Sequence, residues 1–459
     1  MRAIRIAPLS VVLATVSASL SASTGTAQLE RQLSEKIAII CPKNLAVFHV
    51  LVILSPAGEE RRQFIDHPLA DAAREYFAGF ADHPAVQVTD RMFRSSWYFG
   101  LNFIAFHYSE FPEAQQTRAF PELPELTEGM KAMMSQYVEL ARDFYSVSNF
   151  EAFWNAHAAE IESMIEQTAG AIRAPDLPQM MEGFYGREVE RFVFVPSPFM
   201  QQSGMHVELE DDGRWTFYYV AGGDIATDTF YNTYFAFHEF GHSFIEPISA
   251  RHAERLNQLA YLYRPLQERF RQLGYRTWDR AFNEHLITAG QLHLSRPVFG
   301  EERVTELLER ERANGFQLID RFYGYLSEYA SNRDRYPDLE TFFPVILDDL
   351  ATLRVEEYRR PGLMGFRTES DRESVVVREV IEGSAFAEAG VQGGDVIIGL
   401  DGIPITTYET FREARERSWN QAAEGDSVQV VVLRGDTTMV MAIPVAFVTD
   451  YRYLEAKED

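Results

Sequence analysis

Tyr234-Phe235-Ala236-Phe237-His238-Glu239-Phe240-Gly241-His242-Ser243 is the stretch on which the reading of this chain turns. It contains His-Glu-x-x-His. On an α-helix, positions i and i+4 lie one turn apart on the same face. His238 and His242 can therefore offer two imidazole nitrogens to one ion, and zinc is the ion such a pair usually takes. Glu239 follows the first histidine, where it can face a metal-bound water and take its proton. The aromatic neighbours Phe235, Phe237 and Phe240 predict a buried helix. Burial strengthens an ion's field and favours a tuned base. Gly241 leaves room for a close approach. The plain alternative is two helix histidines in ordinary hydrogen bonds, and the aromatic setting after a β-hairpin pattern weighs against it.

A catalytic site of this type needs a third protein ligand and an open position. The position six residues after His242 is Ile248, which excludes the three-histidine spacing of metzincins. His252 fits no useful spacing. Downstream, Trp278-Asp279-Arg280-Ala281-Phe282-Asn283-Glu284-His285-Leu286 reads as a second helix, far enough along for a loop and a return. Glu284 would complete two histidines and a glutamate, with Asn283 as a supporting hydrogen-bond partner. Glu246 is the nearest competitor, on the metal face but just before Pro247. Asp279 and His285 are weaker candidates.

His238-Glu239-Phe240-Gly241-His242-Ser243-Phe244-Ile245-Glu246-Pro247, with Asn283-Glu284-His285-Leu286 downstream, resembles the gluzincin class of zinc peptidases. It is similar in particular to a bacterial family, DUF4932, over roughly residues 35–350, including Phe80-Ala81-Asp82-His83-Pro84-Ala85-Val86. The resemblance implies His238, His242 and Glu284 as ligands of one zinc per chain, and Glu239 as general base. It implies an α+β fold: a mostly helical, zincin-like catalytic domain with a small antiparallel sheet. The thermolysin pattern Asn-Glu-x-x-Ser-Asp is departed from, since Ile287-Thr288 stand after Leu286 and the orienting aspartate is missing. An oxyanion donor remains open among Tyr261, Tyr263, Tyr275, His285 and Tyr323.

Outward from the motif, residues 28–190 read as helical, with apolar residues such as Met133, Tyr137, Leu140 and Phe144 at helical spacing. Dense aromatics there predict packing more than a ligand cleft. Phe192–Pro196 reads as a strand. Met205–Glu210 and Trp215–Val220 read as a hairpin about Asp211-Asp212-Gly213, and the 213–223 arm could offer an edge strand to a peptide. From 230 to 360, Pro247, Pro265, Pro297, Pro337 and Pro344 are expected to break the helices into segments.

Arg359-Arg360-Pro361-Gly362 reads as a joint. Beyond it, Gly362-Leu363-Met364-Gly365-Phe366 and Glu382-Gly383-Ser384-Ala385-Phe386-Ala387-Glu388-Ala389-Gly390-Val391-Gln392-Gly393-Gly394-Asp395-Val396-Ile397 resemble a bacterial PDZ domain. Successive amides of a glycine-rich loop can hold a terminal carboxylate. Leu363, Met364, Gly365 and Phe366 are the expected peptide-binding loop. Glu369, Asp371 and Glu373 would disfavour acidic peptides.

At the other end, Arg2 and Arg5, an apolar run to Leu20 and small residues to Ala27 read as a cleaved signal peptide. The organisation expected is therefore signal peptide 1–27, a metallopeptidase region 28–361 (helical part 28–190, metal-site part 191–361) and a PDZ domain 362–450. Cys41, the only cysteine, excludes an intrachain disulfide. The run from Leu45 to Leu54 is too short to span a membrane. A formal charge of -25 repels phosphate backbones and argues against nucleic-acid partners. The expectation is a periplasmic or secreted zinc endopeptidase acting on peptide or protein substrates. The alternatives are a zinc aminopeptidase and a non-enzymatic, zinc-stabilised scaffold.

Overall fold

A computed structural model describes residues 29–62, 65–94, 98–120, 126–368 and 374–455. The expected signal peptide lies outside these residues, as do Glu369, Asp371 and Glu373. The chain divides into two compact units, Met1–Ala351 and Thr352–Asp459. No helix among the described residues is long and apolar enough to cross a membrane.

The first unit holds one five-stranded sheet: β1 (Glu30–Gln32), β2 (Ile37–Ile40), β3 (Arg191–Ser197), β4 (Gly204–Asp211) and β5 (Arg214–Gly222), in the order β1-β2-β3-β5-β4. The expected small antiparallel sheet is corrected to this mixed one. β2 runs parallel to β3, and β3 parallel to β5. The physical reason lies in β3, whose run Phe192-Val193-Phe194-Val195 is buried on both faces, the mark of an interior parallel strand. Its partner β2 lies across a long helical insertion, which no local pattern reports. The hairpin β4–β5 turns through Asp212 and Gly213, both at positive φ (52° and 78°). That is the two-residue turn whose twist suits paired strands. Of this hairpin, β4 lies at a sheet edge and β5 inside the sheet.

Helices occupy the insertion between β2 and β3. The run from Leu45 to Leu54 forms the helix Lys43–Ile53 and is buried almost throughout. Phe77, Phe144 and Phe150 are fully buried, and the Phe77 ring centroid lies 5.6 Å from that of Phe144 and 5.3 Å from that of Phe150. These aromatics are core. Cys41 is buried, and burial pushes its thiol up to about 12, so it is chemically quiet.

After β5, two long helices pack together: the motif helix Tyr231–Arg251 and the return helix Trp278–Phe299. Pro247, Pro297 and Pro344 sit inside helices rather than ending them, a second correction. A proline removes the bond to the carbonyl four residues back. For Pro247 that carbonyl belongs to Ser243, and Arg187 Nη1 donates to it at 3.1 Å. The helix continues because the freed acceptor is satisfied from outside. Gln291 Nε2 donates to the Tyr234 carbonyl at 2.7 Å, tying the two helices. Tyr185 reaches between them: a Cβ on Gly290 would lie 2.5 Å from its hydroxyl, and one on Gly241 3.3 Å.

The second unit holds β6 (Arg354–Pro361), β7 (Phe366–Thr368), β8 (Val377–Val380), β9 (Val396–Leu400), β10 (Ile403–Pro404), β11 (Ser427–Arg434), β12 (Thr437–Pro444) and β13 (Phe447–Leu454). A four-stranded sheet runs β10-β9-β11-β12, and β7 pairs with β8. Val377, Phe386, Ile397, Leu400, Val430 and Trp419 make its core. β6 pairs with β13 along all eight residues. Arg359, Arg360 and Pro361, read from sequence as a joint, therefore lie within a strand of this unit.

Candidate metal centre and peptide groove

The motif helix places His238 and His242 one turn apart, and the return helix brings Glu284 against them. The His238 and His242 Nε2 atoms are 3.3 Å apart. His238 Nε2 lies 3.6 Å from Glu284 Oε2, and His242 Nε2 lies 3.6 Å from Glu284 Oε1. All three side chains are buried. Donors about 2.0–2.1 Å from one tetrahedral ion stand about 3.3–3.4 Å from each other. The residues present thus fit a divalent first-row ion by their own spacing and chemistry.

Glu246 is not on that side of the site. Its Oε1 meets His242 Nδ1 at 2.9 Å, so it orients the ring from behind. Asn283 accepts a hydrogen bond from Ser249 Oγ at 2.6 Å and joins the two helices. His252 stacks on Phe343, and Asp279 lies beside Arg280 on the half-exposed surface. His285 is packed among Phe270, Phe316 and Phe322, with Nδ1 bonded to the Ala281 carbonyl. Burial lowers it to about 4, so it is neutral. Tyr263 donates to the Tyr275 carbonyl, and Tyr323 lies beside His293.

The hairpin supplies residues the sequence reading passed over. β4 alternates, so Gly204, His206 and Glu208 share one face, and β4 packs on the motif helix. His206 lies parallel over the His242 ring, centroids 4.5 Å apart, with Nδ1 4.0 Å from Glu239 Oε2. Burial, then His242, holds His206 well below the usual histidine range. Tyr219, opposite His206 in the ladder, is buried, and its hydroxyl is held well above its ordinary range by burial and by Glu239. A Cβ on Gly204 would fall 2.7 Å from Glu239 Oε1, so glycine there leaves the carboxylate its place. Burial pushes Glu208 up to about 8, with Glu246 adding to the rise and Arg187 opposing it. The signal for these residues was the alternation of polar side chains in a strand next to the motif.

In the second unit, Met364 is buried, Leu363 is 83% exposed, and Gly365 has φ 84°. A Cβ on Gly365 would lie 2.2 Å from that of Ser384, so only glycine fits. Phe366 opens β7 and packs near Phe386 and Phe411. Phe411 belongs to the helix Tyr408–Arg417, so strand and helix share an apolar floor. Asp395 is buried and paired with Arg434 at 2.7 and 2.8 Å, fixing the turn that follows the short helix Ala385–Glu388.

Residues 124–348 match the profile of a family described as a domain of unknown function, DUF4932, and residues 362–445 match that of the PDZ domain. Two curated relatives are similar over a PDZ-sized stretch. Serine protease HTRA4 of Mus musculus is 36% identical over 69 residues, 15% of this chain and 13% of the relative. Serine protease Do-like HtrA of Bacillus subtilis (strain 168) is 33% identical over 90 residues, 20% of this chain and 19% of the relative. Among solved structures, the HtrA3 PDZ domain bound to a phage-derived ligand (FGRWV) is 20% identical, with a TM-score of 0.17, covering 21% of this chain and 93% of that one. An aminopeptidase N family protein from Idiomarina loihiensis is 11% identical, with a TM-score of 0.21, over 66% and 65% of the two chains. Scores this low carry no argument.

These comparisons correct the identification drawn from the resemblance. The relatives with a stated activity are serine proteases, and the family matched by the helical unit has no stated function. A gluzincin-type zinc metallopeptidase, its zincin-like fold label, zinc endopeptidase or aminopeptidase activity, the zinc-stabilised scaffold and a resident Zn2+ are therefore not assigned to this chain. The physical reason is that a His-Glu-x-x-His helix specifies donor atoms and their spacing, not the ion or the reaction. Serine proteolysis in turn belongs to the relatives, because the chain spans only 13% and 19% of their lengths. A Ser–His–Asn chain does exist here: His49 Nδ1 meets Ser197 Oγ at 2.7 Å and Nε2 meets Asn102 Oδ1 at 2.9 Å. All three side chains are buried, which leaves Ser197 no approach to a substrate carbonyl. It reads as a satisfied core network.

Proposed function

We propose that this is an extracytoplasmic, periplasmic or secreted, peptide-binding protein with a divalent-metal centre in its helical unit. Its ligands are His238, His242 and Glu284. The observation that carries this reading is the convergence of three buried donor atoms, 3.3–3.6 Å apart, from two separate helices. A divalent ion held by these residues would supply Lewis-acid chemistry toward a water or a carbonyl oxygen. Glu239 stands beside the triad with its carboxylate close to Gly204 and His206, where it would serve as a proton acceptor. Glu246 fixes the His242 ring through Nδ1.

In the second unit, Leu363, Met364, Gly365 and Phe366 form the loop that holds a peptide's terminal carboxylate. β7 adds the peptide as a strand, and the helix Tyr408–Arg417 forms the other wall. No nucleic-acid partner is proposed, in keeping with the charge of -25. Two measurements test these parts. Equilibrium dialysis with cobalt(II) should give tight binding that weakens at least about tenfold in Glu284→Gln, as a ligand loses its charge. Unchanged affinity would remove Glu284 from the centre. A fluorescent peptide with an apolar C-terminal residue and free carboxylate should bind, and its C-terminal amide should not. Equal binding of the two would refute carboxylate capture.

A further inference from the structure

His242 faces a carboxylate on each side. Nε2 looks to Glu284, and Nδ1 meets Glu246 Oε1 at 2.9 Å. His238 Nε2 lies 3.3 Å from His242 Nε2 on the first side, and His206 stacks over the face of the His242 ring, centroids 4.5 Å apart. The donor atoms of His206, His242 and Glu246 lie within 4.8 Å of one another, and all three residues are buried.

His206 is the independent observation. Its side chain is 1% exposed, and among the described residues neither ring nitrogen has a hydrogen-bond partner. Leaving a polar ring buried and unmet is costly unless something occupies the place beside it. β4 could have turned an apolar residue here, as it does at Val207 on its other face. A neutral imidazole is also the form that ligates metals.

We propose that His206, His242 Nδ1 and Glu246 form a second divalent-cation subsite that shares the His242 ring with the first. The inference rests on the reading of His242 as a ligand through Nε2. Entry of the second ion displaces the proton on His242 Nδ1, which leaves to solvent. The ring then binds one ion through each nitrogen as an imidazolate. Glu246 exchanges its hydrogen bond to Nδ1 for a bond to the ion. His206 turns about its side-chain torsions so that one nitrogen aims at the same point. Two ions so placed make a paired centre, one imidazole apart.

Cobalt(II) titration of the full metal-free chain, followed by dialysis and visible absorption, tests this. Two ions per chain are expected. His206→Phe, which keeps a flat ring over His242, should bind one, and Glu284→Gln should lose the other. His206→Gln serves as a second variant should His206→Phe fold poorly by circular dichroism. One ion in the parent, lost in Glu284→Gln and kept in His206→Phe, would overturn the second subsite and leave the first standing. Two ions in both His206 variants would overturn the assignment of its ligands. No ion in the parent would overturn both sites.

Discussion

At the residue scale, two residues near the centre make sharp predictions. Gly204 has space only because it lacks a Cβ, which would sit 2.7 Å from Glu239 Oε1 and 3.0 Å from the Tyr219 ring. Gly204→Ala should force Glu239 aside and destabilise the chain by about 1–3 kcal/mol, the usual cost of overpacking. Urea unfolding measures it, and a neutral effect would mean that β4 does not press on the motif helix. Glu208 is pushed up to about 8 by burial, against an ordinary 4.5. The folded chain therefore keeps a proton that the unfolded chain gives up. The stability this contributes is complete below the unfolded value and is lost as pH rises through the folded one. Unfolding free energy should fall with rising pH between those values in the parent, and less steeply in Glu208→Gln. Equal slopes would show that Glu208 is ionised in the fold.

At the element scale, the motif helix survives Pro247 because Arg187 satisfies the Ser243 carbonyl. Arg187→Ala should leave that buried acceptor unmet and cost about 1–3 kcal/mol. Pro247→Ala restores an N–H to the helix, so the loss should shrink in the double variant. A double-mutant cycle with no coupling would contradict this account of the helix. The same helix shows what a sequence conveys. Short-range features were legible: the turn at Asp212-Gly213, the β-rich pattern after residue 374, and an apolar run in Phe192–Val195. Long-range ones were not. The parallel pairing of β2 with β3 depends on partners separated by the whole helical insertion. The prolines read as stops because sequence shows the missing N–H and hides Arg187. His206 and Glu208 went unremarked because their meaning depends on which face of β4 meets the motif helix. The pairing of β6 with β13 hid behind a charged stretch that resembles a linker.

At the scale of the whole molecule, the two units divide after Ala351, and β6 belongs with the second. A chain ending at Ala351 should fold with its helical content intact. One ending at Gly365 keeps β6 without its partner β13 and should be less soluble, since an unpaired strand edge invites association. Circular dichroism and light scattering distinguish them, and equal behaviour would mean that β6 needs no partner. The relatives with a stated activity are serine proteases, while the helical unit gathers His238, His242 and Glu284. The claim that those three side chains hold a divalent ion is therefore the one to test most directly. Anomalous diffraction from a cobalt(II)-soaked crystal of the full chain does so. The account predicts an anomalous peak about 2 Å from His238 Nε2, His242 Nε2 and a Glu284 oxygen. A map with no peak within bonding distance of those three atoms, from crystals soaked to saturation, would contradict it.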